Sequence, residues 1–293
     1  MYELIQVGKN TYYIKSNNNV GIYKINENEI FLIDSSMTNI AGNKILEIIE
    51  NNNWILKGII NTHAHADHTG NNNMLQEKTG CKIFTSEIES ALTKNTILEP
   101  AFIYGAYPPK RLQKKFLMAR KSNDVSNNLN KISKGIEIIP LPGHSYDMIG
   151  IKTDDGVVFI SDSLFPKEAL DTYHIPTIYD IKRFFETLDY LDTLKGNMFI
   201  PAHESALNNI HELISINRNK INEILQVLSD FIKTPLSLNM ITKKIFDYYD
   251  IDINFVQYHL VEGTIKAMLS YLIDEKKIDI IFKDNFLLYK LRK

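Results

Sequence analysis

Residues 58–68, Gly-Ile-Ile-Asn-Thr-His-Ala-His-Ala-Asp-His, constrain this chain more than any other stretch, because an apolar run ends directly in three imidazoles and a carboxylate. Neutral imidazole nitrogen and carboxylate oxygen suit zinc and its first-row neighbours. At a strand end, the alternate pair His63 and His65 can converge on one ion and leave Asp67 and His68 for a second. A solvated histidine-rich loop is the plainer reading. Against it, the chain has only eight histidines; three are here, and two more stand at similar strand ends downstream.

The surrounding pattern predicts a frame for this segment. Apolar runs broken by polar turn clusters give strands over 3–7, 11–14, 21–25 and 29–33, a β-meander. Residues 39–51 carry Ile45, Leu46, Ile48 and Ile49 at helical spacing, and 55–61 returns to strand character. Helices over 69–80 and 87–94 flank a short strand at 82–85. Three later strands bear on chemistry: 136–141 runs into Pro142-Gly143-His144-Ser145, 156–160 into Ser161-Asp162-Ser163, and 197–200 into Pro201-Ala202-His203-Glu204. In layered α/β folds the sheet fixes positions while the loops at strand ends turn side chains inward. Four strand ends are therefore expected to meet at one site.

A chain of 293 residues has room for a larger domain and a small one. The expected division is a catalytic domain over 1–209 and a C-terminal domain over 210–293. In the latter, helices over 210–231, 236–250 and 254–274 precede a hairpin over 279–289, an order that resembles a winged helix. No apolar run reaches the length of a membrane span. The alternating N-terminus lacks the basic and apolar regions of a secretory signal, so a cytoplasmic protein is expected. Cys81, the single cysteine, reads as a small buried thiol, and the formal charge of −2 gives no global reason to expect nucleic acid.

Taken in order, Thr-His-Ala-His-Ala-Asp-His, Pro-Gly-His-Ser, Ile-Ser-Asp-Ser and Pro-Ala-His-Glu resemble the successive metal motifs of the metallo-β-lactamase superfamily, glyoxalase II-like members included, across roughly the first 205 residues. The resemblance implies an α/β fold of αββα type, two facing sheets with helices outside and the metals at one edge. It implies two divalent ions, Zn2+ first with Fe or Mn as alternatives. His63, His65 and His144 would hold one ion, Asp67, His68 and His203 the other, and Asp162 would bridge them. The reaction implied is hydrolysis by a hydroxide shared between the ions, with Asp67 and Asp162 as the catalytic carboxylates. Asp at position 162 and the expected lack of an export signal disfavour the secreted antibiotic-hydrolysing branch. His65, where flavodiiron proteins resemble His-x-Glu-x-Asp, disfavours that branch too. Persulfide dioxygenases use one iron with similar groups, so the ligands alone do not name the metal.

Substrate contacts are expected from residues 97–121, where Phe102, Tyr104 and Tyr107 precede Pro108-Pro109 and then Lys110, Arg111, Lys114, Lys115, Arg120 and Lys121 with no acidic residue among them. Tyr104, Tyr107, Lys110 and Arg111 are the named candidates; a solvated basic helix is the alternative. His174 is weighed as a proton donor against a structural role, while His211 and His259 are read as structural. The leading function is hydrolysis of a small ester, thioester, lactone or phosphoester. The alternatives are cleavage of single-stranded RNA, or a binding or signalling protein whose metal is structural. From Lys220 onward the tail has eleven Lys and Arg against ten Asp and Glu, limited support for RNA. A second copy of the chain is a further expected partner, and a membrane is not.

Overall fold

Alternation within single strands decides the layering. In the strand Glu29–Ile33, Ile30 and Leu32 join one buried cluster while Phe31 and Ile33 join another. In the strand Val157–Ser161, Val157 and Phe159 share the cluster of Phe31, whereas Val158 and Ile160 join a third. Successive side chains point to opposite faces, so each strand lies between two apolar layers and the two sheets share the middle one.

The computed structural model describes residues 2–292. The first sheet runs β1 (Glu3–Gln6), β2 (Thr11–Lys15), β3 (Val20–Lys24), β4 (Glu29–Ile33), β5 (Ile55–Ile60), β6 (Lys82–Phe84) and β7 (Val125–Ser126), in that spatial order. The meander β1 to β4 is antiparallel; β4 to β7 pair in parallel, as their helical crossovers require. The second sheet is ordered β11 (Met198–Pro201), β10 (Val157–Ser161), β9 (Ile149–Thr153), β8 (Ile136–Pro140). Gly21 lies under the Phe159 ring, where a Cβ would come within 2.5 Å, so a larger residue there would push the sheets apart.

Helix α1 (Asn39–Asn51) is capped by Thr38, whose side chain accepts from the Ala41 N–H, and buries Ala41, Ile45 and Ile49 on the outer face of the first sheet. The helix expected over 69–80 is α3 (Asn72–Thr79); the short α2 (Ala66–Thr69) precedes it, and Gly70 between them lies where a Cβ would come within 2.7 Å of the Ala66 carbonyl and the Met37 backbone. Then come α4 (Glu87–Lys94), α5 (Leu98–Tyr104), α6 (Lys167–Tyr173) and α7 (Ile181–Thr193). The arrangement is the expected αββα sandwich.

The tail holds α8 (His211–Phe231), α9 (Leu238–Tyr249), α10 (Phe255–Asp274) and the hairpin β12 (Ile278–Lys283) and β13 (Phe286–Leu291). Leu236 adds a single bridge to Tyr289. Apolar packing runs without a break from Val158, Ile160 and Phe184 into Ile221, Ile245 and Ile265, so the tail is built onto the second sheet's outer layer. Among the described residues no helix is long and apolar enough to cross a membrane.

Candidate metal centre

Each expected ligand stands where a strand or turn delivers it. β5 ends at Ile60, Asn61-Thr62 lead into His63 and His65, and Asp67 and His68 stand in α2. β8 leads to Gly143, whose φ of 132° and contact with the Phe184 backbone (2.5 Å for an added Cβ) exclude a side chain, and His144 follows. β10 ends at Ser161, in the left-handed region at φ 51°, which redirects the chain so that Asp162 points to the site. β11 ends at Pro201, two residues before His203.

The seven side chains form two adjoining groups. Ligand-type atoms of His63, His65 and His144 lie within 4.8 Å of one another, as do those of Asp67, His68, Asp162 and His203. Asp162 reaches both: its Oδ2 is 3.4 Å from His144 Nε2, 3.4 Å from His68 Nε2 and 3.5 Å from His203 Nε2. His144 Nε2 and His65 Nδ1 face each other at 3.0 Å.

Every imidazole uses its other nitrogen on an oxygen outside the cluster. His63 Nδ1 meets Thr62 Oγ1 at 3.1 Å, and His68 Nδ1 meets Asp34 Oδ2 at 2.8 Å. The Nδ1 atoms of His144 and His203 meet the carbonyls of Thr177 (2.8 Å) and Asn17 (2.7 Å), and His65 Nε2 lies 3.3 Å from Glu99 Oε1. Such partners fix the tautomer and turn the free lone pair inward. Three buried atoms within the cluster have no hydrogen-bond partner, His63 Nε2, His68 Nε2 and Asp162 Oδ1. Buried polar atoms are rarely left so, and a cation is the partner that suits all three. The donor set therefore fits one or two divalent ions.

Electrostatics separates the groups. Burial holds His63, His65 and His144 below the usual imidazole range, His144 at about 4, so they stay neutral. Burial also opposes the charged forms of His68 and His203, but the Asp162 and Asp67 carboxylates overcome it, lifting His68 well up and His203 to about 11. Reciprocally, burial raises Asp67 and Asp162 while the adjoining imidazoles pull both below the carboxylate range. Two ionised carboxylates that draw protons onto neighbouring imidazoles would equally attract a cation in the protons' place.

A cavity of about 840 Å³ opens onto His65, Asp67, His144 and Asp162. Its walls include Phe102 and Leu117, Tyr146, the 177–182 turn before α7, and the face of α10 carrying His259, Gly263 and Tyr271. Phe102, Tyr146 and Tyr179 form an aromatic wall with centroids 4.0 to 5.2 Å apart. Tyr104, Tyr107, Lys110 and Arg111, the expected substrate contacts, do not line this cavity: Tyr104 packs on the His259 ring, Tyr107 is 79% exposed, Lys110 faces solvent, and the Arg111 guanidinium lies over Phe255. α5 stops at Tyr104, capped by Gly105 (φ 77°), and Glu99, Phe102, Ile103 and Gly105 line the cavity whereas Tyr104 does not. His174 stacks on Tyr249 and His211 pairs with Asp192 at the surface, whereas His259, expected to be structural, lines the cavity.

Sequence reasoning missed Asp34 and Glu99. Asp34 follows β4, so the strand-end rule that found the ligands also applied to it; Glu99 sits in a seven-residue helix with no local signal.

The Metallo-beta-lactamase superfamily profile matches residues 14–203, the span that carries all seven groups. The chain belongs to this superfamily. A hydroxyacylglutathione hydrolase of Prochlorococcus marinus (strain MIT 9301) is 24% identical over 237 residues, covering 78% of this chain and 85% of the relative. A beta-lactamase domain protein from Burkholderia ambifaria superposes with a TM-score of 0.76 at 16% identity over 99% of this chain and 94% of its own. A metallo-beta-lactamase family protein from Thermus thermophilus does so with 0.71 at 16% identity over 100% and 98%. The likeness in fold thus extends through the tail of this superfamily member.

Proposed function

We propose that this superfamily hydrolase cleaves a small acyl ester or thioester and depends on two divalent ions. His63, His65 and His144 would hold one, Asp67, His68 and His203 the other, with Asp162 reaching both; zinc suits the set, and iron or manganese would bind the same donors. When bound, such ions supply Lewis acidity toward a carbonyl oxygen and make water nucleophilic near neutral pH.

The observation that carries the reading is the cavity. Its volume of about 840 Å³ lies within the roughly 300–1,000 Å³ of small-molecule sites, and it opens directly onto the cluster. Phe102, Tyr146 and Tyr179 offer apolar faces to an acyl or leaving group, holding its carbonyl against the cluster. Burial and the adjoining Tyr179 push the Tyr146 hydroxyl up, so this wall of the cavity carries no charge of its own. Glu99 orients His65 from the cavity wall, and Asn18 donates to Asp67 Oδ2 at 3.2 Å, fixing that carboxylate. Among the ester-like substrates, the relative named for an acyl-glutathione favours a thioester. RNA cleavage is disfavoured because Lys110, Arg111, Lys114, Lys115, Arg120 and Lys121 all lie outside the lining, so the basic run makes no track to the cluster. A purely structural metal is disfavoured because the cavity gives substrate and water access.

The test is metal analysis of gently purified protein followed by turnover on thioester, ester, lactone, phosphodiester and single-stranded RNA panels. Metal-dependent turnover of a small acyl substrate is expected. RNA cleavage alone, or no turnover with both ions bound, would overturn the proposal.

A further inference from the structure

The tail ends in a hairpin whose chemistry is unlike that of a solvated edge. β12 reads Ile-Asp-Ile-Ile-Phe-Lys and β13 Phe-Leu-Leu-Tyr-Lys-Leu, paired continuously from Ile278↔Leu291 to Lys283↔Phe286 with no bulge. Asp284 (φ 50°) and Asn285 (φ 63°) make the two-residue turn in the left-handed region that matches strand twist. Ile280, Phe282, Phe286 and Leu287 are exposed, Phe282 by 76%. A strand apolar on both faces is the pattern of one covered on both sides.

The ladder shows which edge is open. The Arg292 N–H donates to the Lys277 carbonyl, and alternation makes 279/290, 281/288 and 283/286 the bonded pairs. The backbone groups of Ile278, Ile280 and Phe282 therefore face away from β13. On β13 most of the outer edge is engaged, since Tyr289 exchanges bonds with Leu236 and the Leu291 N–H donates to Ile232, and only Leu287 beside the turn is left open. Among the described residues, no backbone group meets the outer edge of β12. Proteins usually blunt such an edge with proline, a bulge or central charge; here charge stands only at Asp279 and Lys283, one on each side of Ile281.

We infer that the β12 edge pairs with the β12 edge of a second copy, antiparallel about a two-fold axis at Ile281. That register sets Ile280 opposite the second copy's Phe282, and these are the residues whose N–H and C=O groups face outward. It also sets Asp279 opposite Lys283 on both sides of the axis. Of the antiparallel registers the outward groups permit, centring on Ile280 opposes Asp279 to Ile281, and centring on Asp279 opposes it to itself. Only the Ile281 register pairs the charges between copies, setting Lys283 beside an Asp279 that already accepts from Arg292 of its own hairpin, so the charge order along the edge selects a second copy. The contact is isologous, closes at two, and builds a four-stranded sheet on apolar pairs.

Sedimentation equilibrium of the full chain across a wide concentration range is the test. Wild type is expected to show reversible dimers. Ile280→Pro removes one outward N–H without touching the hairpin's own ladder, and is expected to abolish dimers while leaving the metal content, and the thermal melt at dilutions where wild type is monomeric, unchanged. Lys283→Asp alone, and Asp279→Lys alone, which also frees Arg292 from its partner, place like charges opposite each other and should be monomeric, whereas their equimolar mixture should restore dimers. A monomeric wild type, a dimer that survives Ile280→Pro, or a mixture that stays monomeric would overturn the inference. So would a monomer that instead pellets with phosphatidylglycerol vesicles, which would assign the apolar tip to a lipid surface.

Discussion

Replacing Asp34 by Asn tests whether the metal centre is held from behind. Asp34 is 3% exposed and accepts four contacts: Oδ2 from His68 Nδ1 and Thr62 Oγ1, both at 2.8 Å, and Oδ1 from the Thr62 N–H at 2.8 Å and Asn61 Nδ2 at 3.5 Å. Its φ of 62° suits Asn as well as Asp, so the backbone strain is unchanged. An amide, however, has one acceptor and one donor end. With its NH2 at the Oδ2 position it meets a donor on His68, which relieves the clash by moving its proton to Nε2 and losing the lone pair aimed at the site. With its NH2 at Oδ1 it meets the Thr62 N–H, and a buried donor goes unpaired at about 1–3 kcal/mol. On the two-ion proposal, the first outcome is expected to weaken binding at the Asp67, His68 and His203 group by roughly 10–100-fold, about 1.4–2.7 kcal/mol. Titrating metal-stripped protein against a chromophoric chelator reads the two equivalents separately. One equivalent should bind as in wild type and the other should weaken; two equivalents bound with wild-type affinity would refute the reasoning.

Asp162→Ala and His65→Ala should each lower metal content and turnover together, since Asp162 touches groups of both clusters; metal analysis beside a thioesterase assay checks this. Phe102→Ala should raise KM for apolar acyl substrates on the order of fivefold, about 1 kcal/mol of lost ring contact, with kcat little changed. Glu89, buried beneath the site and bonded to Ser145 Oγ and the Ala64 N–H, is pushed up to about 7, chiefly by burial. A carboxyl raised on folding contributes stability that is complete below about 4.5 and lost as pH rises through about 7. At roughly 1.4 kcal/mol per pH unit this amounts to about 3 kcal/mol. Urea unfolding of the metal-free protein at pH 5 and pH 8 should show that fall, and Glu89→Gln should flatten it by about this amount.

Periodicity sufficed for elements whose identity is local. α1 and α4 occupy the spans read from the sequence, the β1 to β4 meander lies within a residue of its expected bounds at most ends, and the tail's three helices and hairpin follow the expected order. β9, α6 and α7 escaped notice, although Ile149 and Ile151 pack in the inter-sheet layer and Phe184 closes on Gly143, because their signals are short or mixed with polar residues.

The chain's own letters determined which chemistry is available: histidine and aspartate at the ends of apolar strands point to a cation site, since imidazole nitrogen and carboxylate oxygen are donors that first-row cations take. Tertiary structure alone decided what surrounds it. Asp34 and Glu99 orient His68 and His65 from segments 34 residues away in either direction, and α10 supplies a cavity wall from nearly 200 residues further on. It also turned Tyr104 and Arg111 onto the tail and left Phe102 lining the cavity beside Tyr146 and Tyr179. Spacing along a chain fixes which side chains share a face; which face meets which depends on how whole layers pack, and that is settled by the summed burial of residues far apart in sequence.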